Sequence, residues 1–414
     1  MKTANSKYFH RHGSSRPQTA IIEQIACYCC LGFVIYLLWC FYYLSQNGDG
    51  GRASLDLTWE KPNANVIQVP LLPESFDILE NTTIVYAAIP TNNAVKTYPH
   101  YDSLLDVLQN WNPNQPNPPK YFKETIMHFN FSNIEERQLA EQYREAEIPF
   151  KLYDIPELNV AQKKWTDAYL LQALQYSRED VEMSKSNHFM YWNRNGFKQN
   201  GQHKPPTSLV TLSFAEWLQF ARRGDALQIG NESTHYYFMT STDPGDKGRS
   251  FISRDLRSFS SQKENFFIRN VHANKGIQCR FAMRGIISES HYDSGRNFVF
   301  MLKGNKRYVL TGPNSCKQLG IITDPLHPSY RHSVIDWSDL NQARSRGFDK
   351  IAAIDTIVRA GEALYIPSYW FHYIVALQYS IQCNSRSGSP PHEEGLQEIE
   401  ECMGKRRSHL RTHG

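Results

Sequence analysis

The chain has 414 residues, of which 41% are hydrophobic, 13% aromatic and 21% charged, and this composition excludes a disordered polar chain. Its formal net charge is only +4, which argues against a protein whose main task is to neutralise nucleic-acid phosphates. A chain of this length has room for one large core with appended segments.

The first element is an uncharged run of twenty residues from Ile25 to Leu44. It is long enough to cross a bilayer as a helix, and it is too long for the core of a cleaved signal peptide, so we predict a signal anchor over residues 23–45. Basic residues outnumber acidic ones before the run, which predicts that residues 1–22 form a cytosolic tail. The expected protein is therefore a type II single-pass membrane protein of the endoplasmic reticulum or Golgi, with a lumenal domain.

Glycosylation acceptors and cysteines agree with a lumenal domain. Asn-X-Ser/Thr tripeptides begin at Asn81, Asn130 and Asn231. Cys27, Cys29 and Cys30, near the cytosolic edge of the anchor, are either palmitoylated or ordinary lipid-facing thiols. The cysteines that we expect in an oxidising compartment, without an assigned pairing, are Cys279, Cys316, Cys383 and Cys402.

Four further segments follow the anchor. Residues 46–80 are rich in Gly, Asn and Pro and are predicted to form a flexible stem. Residues 81–205 contain a strand-like run, IVYAAIP, and helical periodicity in SLLDVLQNW, IEERQLAEQYREAE and KWTDAYLLQALQY. Residues 206–386 begin with a helical SFAEWLQFARR and continue with short apolar strands, and residues 387–414 form a polar tail.

The predicted strands of the later part are FFIRNV, NFVFML, KRYVLTG, ALYIP and HYIVALQYSIQC. Short apolar strands that follow one another closely are typical of a β-sandwich or jelly roll. The sequence therefore predicts a mainly β chain with helices, of the α+β class.

One motif has the composition of a metal site. His291 and Asp293 flank a single residue, and in a strand the side chains of such positions point to the same face. His372 follows a later strand-like run, GEALYIP, and completes a set of two histidines and one carboxylate. These three ligands occupy one face of an octahedral metal site and leave the other positions open, which is typical of non-haem Fe(II) oxygenases. Zinc or manganese can also bind such ligands.

Chance alone gives about one or two His-X-Asp/Glu tripeptides in a chain with 15 histidines and 41 acidic residues. His100 and Asp102 form a second one, but a helical segment follows them and no third ligand is in view. His392 and Glu394 lie in the polar tail. Only the motif at His291 has strands around it.

The residues around this motif, SHYDSGRNFVFMLKGNKRYVLTGP and GEALYIPSYWFHYIVALQYSIQCN, resemble the JmjC-type cupin-like hydroxylases. A weaker likeness extends over residues 145–386. The resemblance implies a double-stranded β-helix (jelly-roll) core over residues 206–386, with residues 81–205 as a helical N-terminal elaboration. It also implies Fe(II) at His291, Asp293 and His372.

The resemblance further assigns the carboxylate-binding lysine to Lys306, in Gly304-Asn305-Lys306, and implies 2-oxoglutarate as co-substrate. The residues that match positions supporting 2-oxoglutarate are Ser288, Asn297 and Asn384. A dicarboxylate that chelates a metal with one end needs a cation at the other, and a lysine supplies that charge.

The chain departs from the common pattern at three places. Ser288 replaces a threonine, Trp370-Phe371 replaces two tryptophans, and Ser385-Arg386 stands where an aromatic residue follows the last asparagine. The implied activity is hydroxylation of a protein or peptide substrate, with no nucleic acid expected as a partner. Two alternatives remain, a non-catalytic lumenal binding or scaffold protein and an RNA-modifying oxygenase, and histone demethylation ranks low.

Overall fold

The computed structural model of the chain describes residues 72–74, 76–86, 101–193, 203–246, 248–388 and 396–404. Within these ranges no helix has both the length and the apolar composition that a bilayer-spanning segment requires. The predicted cytosolic tail, 1–22, the predicted anchor, 23–45, and the predicted stem up to residue 71 lie outside the described residues. The type II topology therefore stays a prediction.

The helices of the described ranges are α1 Leu104–Asn110, α2 Ile134–Glu145, α3 Pro156–Lys164, α4 Asp167–Ala173, α5 Phe214–Ala226, α6 Phe251–Asp255, α7 Leu340–Ser345 and α8 Leu396–Cys402. The strands up to residue 282 are β1 Thr83–Tyr86, β2 Asp102–Ser103, β3 Tyr121–Glu124, β4 His128–Asn130, β5 Phe150–Tyr153, β6 Arg178–Ser184, β7 His188–Phe189, β8 Ser208–Ser213, β9 His235–Thr242 and β10 Asn274–Ala282. The later strands are β11 Ile287–Tyr292, β12 Asn297–Lys303, β13 Asn305–Thr311, β14 Ala352–Arg359, β15 Ala363–Ile366, β16 Phe371–Ala376 and β17 Ser380–Ser387.

Two large sheets contain most of these strands. The larger has nine strands in the order β4-β5-β15-β12-β17-β10-β9-β6-β8, and the smaller has six in the order β2-β14-β13-β16-β11-β7. A separate pair, β1 and β3, is parallel. The mainly β architecture with helices is therefore confirmed.

The inner faces of the two sheets share a core. Val299 and Met301 of the larger sheet pack with Tyr308 and Leu310 of the smaller one. Helices cover the outer faces, so the central strands are buried on both sides and read as nearly continuous apolar runs rather than as alternating ones. This is why β12, β13, β15, β16 and β17 were visible in the sequence, whereas β14 was not predicted.

Helix α5 shows how local sequence and packing agree. Ser213 and Glu216 form a capping box, in which each side chain accepts from the backbone N–H of the other residue. Phe214 and Trp217 then pack their rings against Phe281 of β10. The helix therefore begins at the residue that the sequence indicates and covers the larger sheet.

Two predicted elements differ from the structure. The predicted helix KWTDAYLLQALQY is interrupted, because Thr166 caps a new helix by accepting the N–H of Tyr169. The segment FFIRNV is not a strand. Phe267 is buried in the core, and Asn270 caps a short 3₁₀ turn, Val271–Ala273, directly before β10.

The ends of the predicted segments pack more closely than their composition suggests. Within the predicted stem, 46–80, the carbonyl of Leu72 accepts from Arg222, and Leu79 is buried. Within the predicted polar tail, 387–414, Ile399 of α8 is buried. The described parts of both segments are thus fixed to the core, because single apolar side chains anchor segments that are polar on average.

Both large sheets contain strands from before and after the predicted domain boundary between residues 205 and 206. Strands β4, β5, β6 and β7 precede this point, and each pairs with strands that follow it or with each other inside the two large sheets. The region 81–205 therefore supplies edge strands of the sheets as well as helices.

The four cysteines expected in an oxidising compartment form two disulfides in the structure. Cys279 of β10 is joined to Cys383, which lies directly opposite on β17. Cys316 is joined to Cys402 at the end of α8. The first bond ties together two neighbouring strands of the larger sheet, and the second ties the last described helix to the core.

Asp225 in α5 is a nearly buried carboxylic acid. Its two oxygens accept the backbone N–H of Tyr379, at 2.9 and 3.1 Å. Burial raises the pKa of Asp225 from 3.8 to about 7, against the opposing effects of this N–H and of Arg284, Lys303 and Arg222. The folded chain therefore favours the protonated acid.

Because the pKa of Asp225 is higher in the folded than in the unfolded chain, its contribution is complete below about pH 4 and is lost as the pH rises through about 7. We expect the contribution of Asp225 to the free energy of unfolding to fall between about pH 4 and pH 7, by at most about 1.4 kcal/mol per pH unit. Asp225→Asn should remove this part of the pH dependence, when the free energy of unfolding is measured by urea denaturation at each pH. Asp246→Asn is the control, since hydrogen bonds from Ser250 and Thr242 lower the pKa of Asp246 below this window. Equal slopes for wild type and Asp225→Asn would contradict the assignment.

Candidate active site

The two histidines of the motif lie side by side on neighbouring strands. Strands β11 and β16 are antiparallel, and their register places His291 directly opposite His372, after an irregularity between Ser288 and His291. Asp293 follows the end of β11. The three ligand atoms, one from each side chain, lie within 4.8 Å of one another.

Backbone carbonyls orient both imidazoles. Nδ1 of His291 donates to the carbonyl of Glu289 at 2.8 Å, and Nδ1 of His372 donates to the carbonyl of Trp370 at 3.1 Å. In these tautomers Nε2 of each ring carries a lone pair for a metal. Burial, and then the neighbouring imidazoles, lower the pKa of His291. Burial also lowers the pKa of His372. Both rings are therefore neutral, as metal ligands must be.

The carboxylate of Asp293 is held by two donors. Its Oδ2 accepts from the guanidinium of Arg386 at 2.8 Å and from the amide of Asn297 at 3.3 Å. Burial by itself raises the pKa of Asp293, but nearby arginine charges, first that of Arg386, outweigh it and lower the pKa. Asp293 is thus ionised and its orientation is fixed.

A cavity of about 510 Å³ lies between the two sheets. Of the residues predicted from the sequence, those that line it are His291, His372, Ser288, Asn297 and Asn384. Its walls come from both sheets, with Val299 on the larger and Ile374 on the smaller. The structure therefore brings these five predicted residues to one cavity.

Lys306 lies behind the wall of the cavity and is completely buried. Its ammonium donates to the side-chain oxygen of Gln382 at 3.0 Å, and the hydroxyl of Tyr308 donates to the same oxygen at 2.6 Å. Within the described part of the chain no carboxylate forms an ion pair with Lys306. Burial, and then the nearby charge of Arg280, lower the pKa of Lys306 well below its usual value.

Arg280 was not predicted from the sequence. It lies on β10 and lines the cavity, and it donates to the side-chain oxygen of Asn384 at 2.8 Å. Since that oxygen is occupied, the amide nitrogen of Asn384 is the group available to a ligand. Arg280 belongs to the site because β10 pairs with β17. This pairing joins residues about a hundred positions apart, and no sequence motif indicates it.

His332 was also missed. It is buried, lines the cavity, and stacks on His291 with 4.8 Å between ring centroids and 15° between ring planes. The exposed ring of Tyr191 lies parallel to it on the other side. His332 comes from an irregular segment, so no periodic pattern indicated it.

The two other His-X-Asp/Glu tripeptides do not form a comparable group. Asp102 lies in the short strand β2 and pairs with Ala353. His100 and residues 392–394 lie outside the described residues. Across the ranges that the structure describes, His291, Asp293 and His372 are the one group of three metal-ligating side chains.

The chemistry of this group fits Fe(II). Two neutral imidazole nitrogens and one carboxylate oxygen are the donor set that non-haem Fe(II) enzymes use, and manganese or zinc accepts the same donors. The backbone carbonyls behind both imidazoles and the two donors behind the carboxylate hold the ligands in place before any metal binds.

Comparison with known proteins gives the following matches. A family model described as a cupin-like domain matches residues 136–385, more than half of the chain. The chain is similar to tRNA wybutosine-synthesizing protein 5 of Danio rerio, with 29% identity over 177 residues, which cover 42% of this chain and 52% of the relative. It is also similar to the Homo sapiens protein of that name, with 25% identity, covering 25% of this chain and 31% of the relative. JmjC domain-containing protein D of Dictyostelium discoideum is 27% identical, covering 27% of this chain and 25% of that protein. The chain thus spans about half of the first relative's length and less than a third of the other two.

If His291 and His372 are ligands, replacing either by alanine should weaken binding of Mn(II), a stable substitute for Fe(II), by about 100-fold or more. Isothermal titration calorimetry of the full chain measures this affinity. His327→Ala is the matched control, because the His327 ring packs against His203 and Trp192, outside the group of three. Equal Mn(II) affinity in wild type and His291→Ala would exclude the site.

Proposed function

Because the chain belongs to the cupin-like domain family, we propose that it is a hydroxylase that uses Fe(II) as its metal and 2-oxoglutarate as co-substrate. The observation that carries the proposal is Lys306. Because Lys306 is completely buried without a carboxylate partner among the described residues, its protonation is costly and its pKa is lowered, unless a ligand supplies the anion. The far carboxylate of 2-oxoglutarate is such an anion.

The register of the smaller sheet supports this arrangement. Leu310 of β13 pairs with His372, and Lys306 pairs with Ala376. The ammonium-bearing residue and the metal-ligating residue are therefore separated by four positions, or about 13 Å along the strand. The side chain of Lys306 and a short dicarboxylate together fit a gap of this size.

The neighbouring polar groups have defined tasks in this proposal. The side-chain oxygen of Gln382 accepts from Nζ of Lys306 and from the hydroxyl of Tyr308. The hydroxyl of Ser288 lies 3.5 Å from that of Tyr237, whose ring faces Nζ of Lys306. The amide of Asn297 lies beside Asp293, and that of Asn384 lies between Gln382 and Arg386 along β17; both would donate to the co-substrate. Val299 and Ile374 exclude water from the space between.

His291, Asp293 and His372 would hold Fe(II), which would supply the dioxygen activation that couples decarboxylation of 2-oxoglutarate, to succinate and carbon dioxide, to hydroxylation of a substrate. The chain's own part is to orient the co-substrate, to keep the imidazoles neutral and to shield the site. The intact set of three ligands together with Lys306 argues against the alternative of a non-catalytic scaffold.

A protein or peptide in the lumen of the secretory pathway is the substrate class that we favour, with the chain anchored through residues 23–45. The two disulfides support an oxidising compartment. Asn81, the first glycosylation acceptor, is exposed, as an acceptor must be. Both observations agree with a lumenal domain.

An RNA-modifying oxygenase is the second candidate, since two of the relatives named above are called tRNA wybutosine-synthesizing proteins. These relatives match the chain over only part of their length. The small net charge and the two disulfides favour the protein substrate over RNA.

The proposed function is tested by succinate formation from 2-oxoglutarate under Fe(II) and ascorbate. Lys306→Met keeps a long side chain but removes the charge, so the 2-oxoglutarate concentration for half-maximal turnover should rise about 10- to 100-fold. Mn(II) affinity should stay unchanged. Lys350→Met, at an exposed lysine, is the control. A wild-type chain that binds Mn(II) but neither binds nor converts 2-oxoglutarate would favour the scaffold.

Topology separates the two substrate classes. In sealed microsomes that contain the full chain, added protease should remove only the short tail before the anchor, and endoglycosidase should shift the protected fragment to lower mass. Complete digestion without detergent would place the domain on the cytosolic side. The next step would then be to compare tRNA with peptides as stimulators of 2-oxoglutarate decarboxylation.

A further inference from the structure

Arg386 forms an ion pair with the carboxylate ligand of the site. It lies near the end of β17, directly opposite Asn297 of β12, and its side chain lines the cavity with 24% of its surface exposed. One of its terminal nitrogens is 2.8 Å from Oδ2 of Asp293. The carboxylate therefore has a positive partner in the protein itself.

This ion pair differs from a neighbouring one that serves the fold. Arg296 binds Glu147 through both Nε and a terminal nitrogen, and Glu147 also accepts from Tyr365 and from the backbone N–H of Ser368. Such a network stabilises the loop before β16. Arg386 has no second acidic partner in the described ranges, and its Nε has no hydrogen bond there.

The two oxygens of Asp293 are unequal as a result. Oδ2 accepts from Arg386 and from Asn297, whereas no donor of the described part of the chain is bonded to Oδ1. A metal can therefore take one oxygen while the guanidinium keeps the other. An arginine stays protonated at any ordinary pH, so it cannot remove its charge when a divalent cation arrives.

We propose that Arg386 is a built-in counter-ion of the metal site, which holds Asp293 as a one-oxygen ligand and competes with the metal for its negative charge. It stabilises the metal-free chain, because a nearly buried carboxylate would otherwise have only the neutral amide of Asn297 as a donor and no positive charge beside it. It also lowers the affinity for the metal, because two cations that share one carboxylate in a poorly solvated site repel each other. The inference rests on the proposed function in so far as His291, Asp293 and His372 bind a metal.

The test compares Arg386→Gln with Arg386→Lys and Arg331→Gln in the full chain. The glutamine removes the charge and keeps a donor, whereas the lysine keeps the charge. Arg331 is the matched control, because its charge acts on Asp293 from a distance, without a hydrogen bond, while its guanidinium lies over the ring of Tyr292. Isothermal titration calorimetry with Mn(II) gives the affinity, and thermal unfolding with and without Mn(II) gives the stability of each state.

We expect Arg386→Gln to bind Mn(II) about 10-fold more tightly than wild type and to unfold at a lower temperature without metal. Added Mn(II) should raise its unfolding temperature more than that of wild type. Arg386→Lys should stay close to wild type in all three measurements. Arg331→Gln should change the affinity by less than about threefold.

The outcomes separate the possible roles of Arg386. Weaker Mn(II) binding by Arg386→Gln would mean that Arg386 only positions Asp293, and unchanged binding would mean that it does not act on the metal at all; either result overturns the inference alone. A wild-type chain that binds no Mn(II) would overturn the proposed function and this inference with it.

Discussion

The antiparallel pairing of β11 with β16 is the constraint on which the site depends. Directly opposite residues in such a pair hold their side chains close together on one face, and here these residues are His291 and His372. The same strand β16 pairs on its other side with β13 and thereby sets how far Lys306 lies from the histidines. A slip of one residue in either pairing would turn a ligand or the lysine to the outer face of the sheet.

Two other buried cations of the chain differ from Lys306 in having carboxylate partners. Lys151 lies between Glu124 and Glu362, and Arg307 forms two hydrogen bonds with Asp355. These cations are paired with carboxylates because an unpaired buried charge is costly. Lys306 instead contacts neutral groups in the described ranges, the amide of Gln382 and the ring of Tyr237, and the proposal of an anionic co-substrate rests on this difference.

The sequence predicted the parts of the site that lie on single strands or come from the family resemblance, and it missed those that depend on pairing between distant strands. The period of two in a strand was enough to place His291 and Asp293 together. Arg280 and Gln382 are directly opposite each other on β10 and β17, a register that composition and spacing do not reveal. In the fold, β12, β13, β15, β16 and β17 were recognised from their apolar runs, whereas the buried strand β14 was missed. FFIRNV was mistaken for a strand, because phenylalanines that fill a core from a loop look like those of a strand.

The groups around His291, Asp293 and His372 orient these three side chains before any ligand binds. The histidines are held by backbone carbonyls two positions before them, a contact that the strands supply whatever the side chains are. Asn384 and Asp293 are instead held by arginine side chains, Arg280 and Arg386, on the two strands that the Cys279–Cys383 disulfide joins. Imidazole orientation therefore follows from the fold that the family shares, whereas the charge around the carboxylate depends on individual residues. In the proposed metal site, the strength of binding therefore depends on Arg386 as well as on the three ligands.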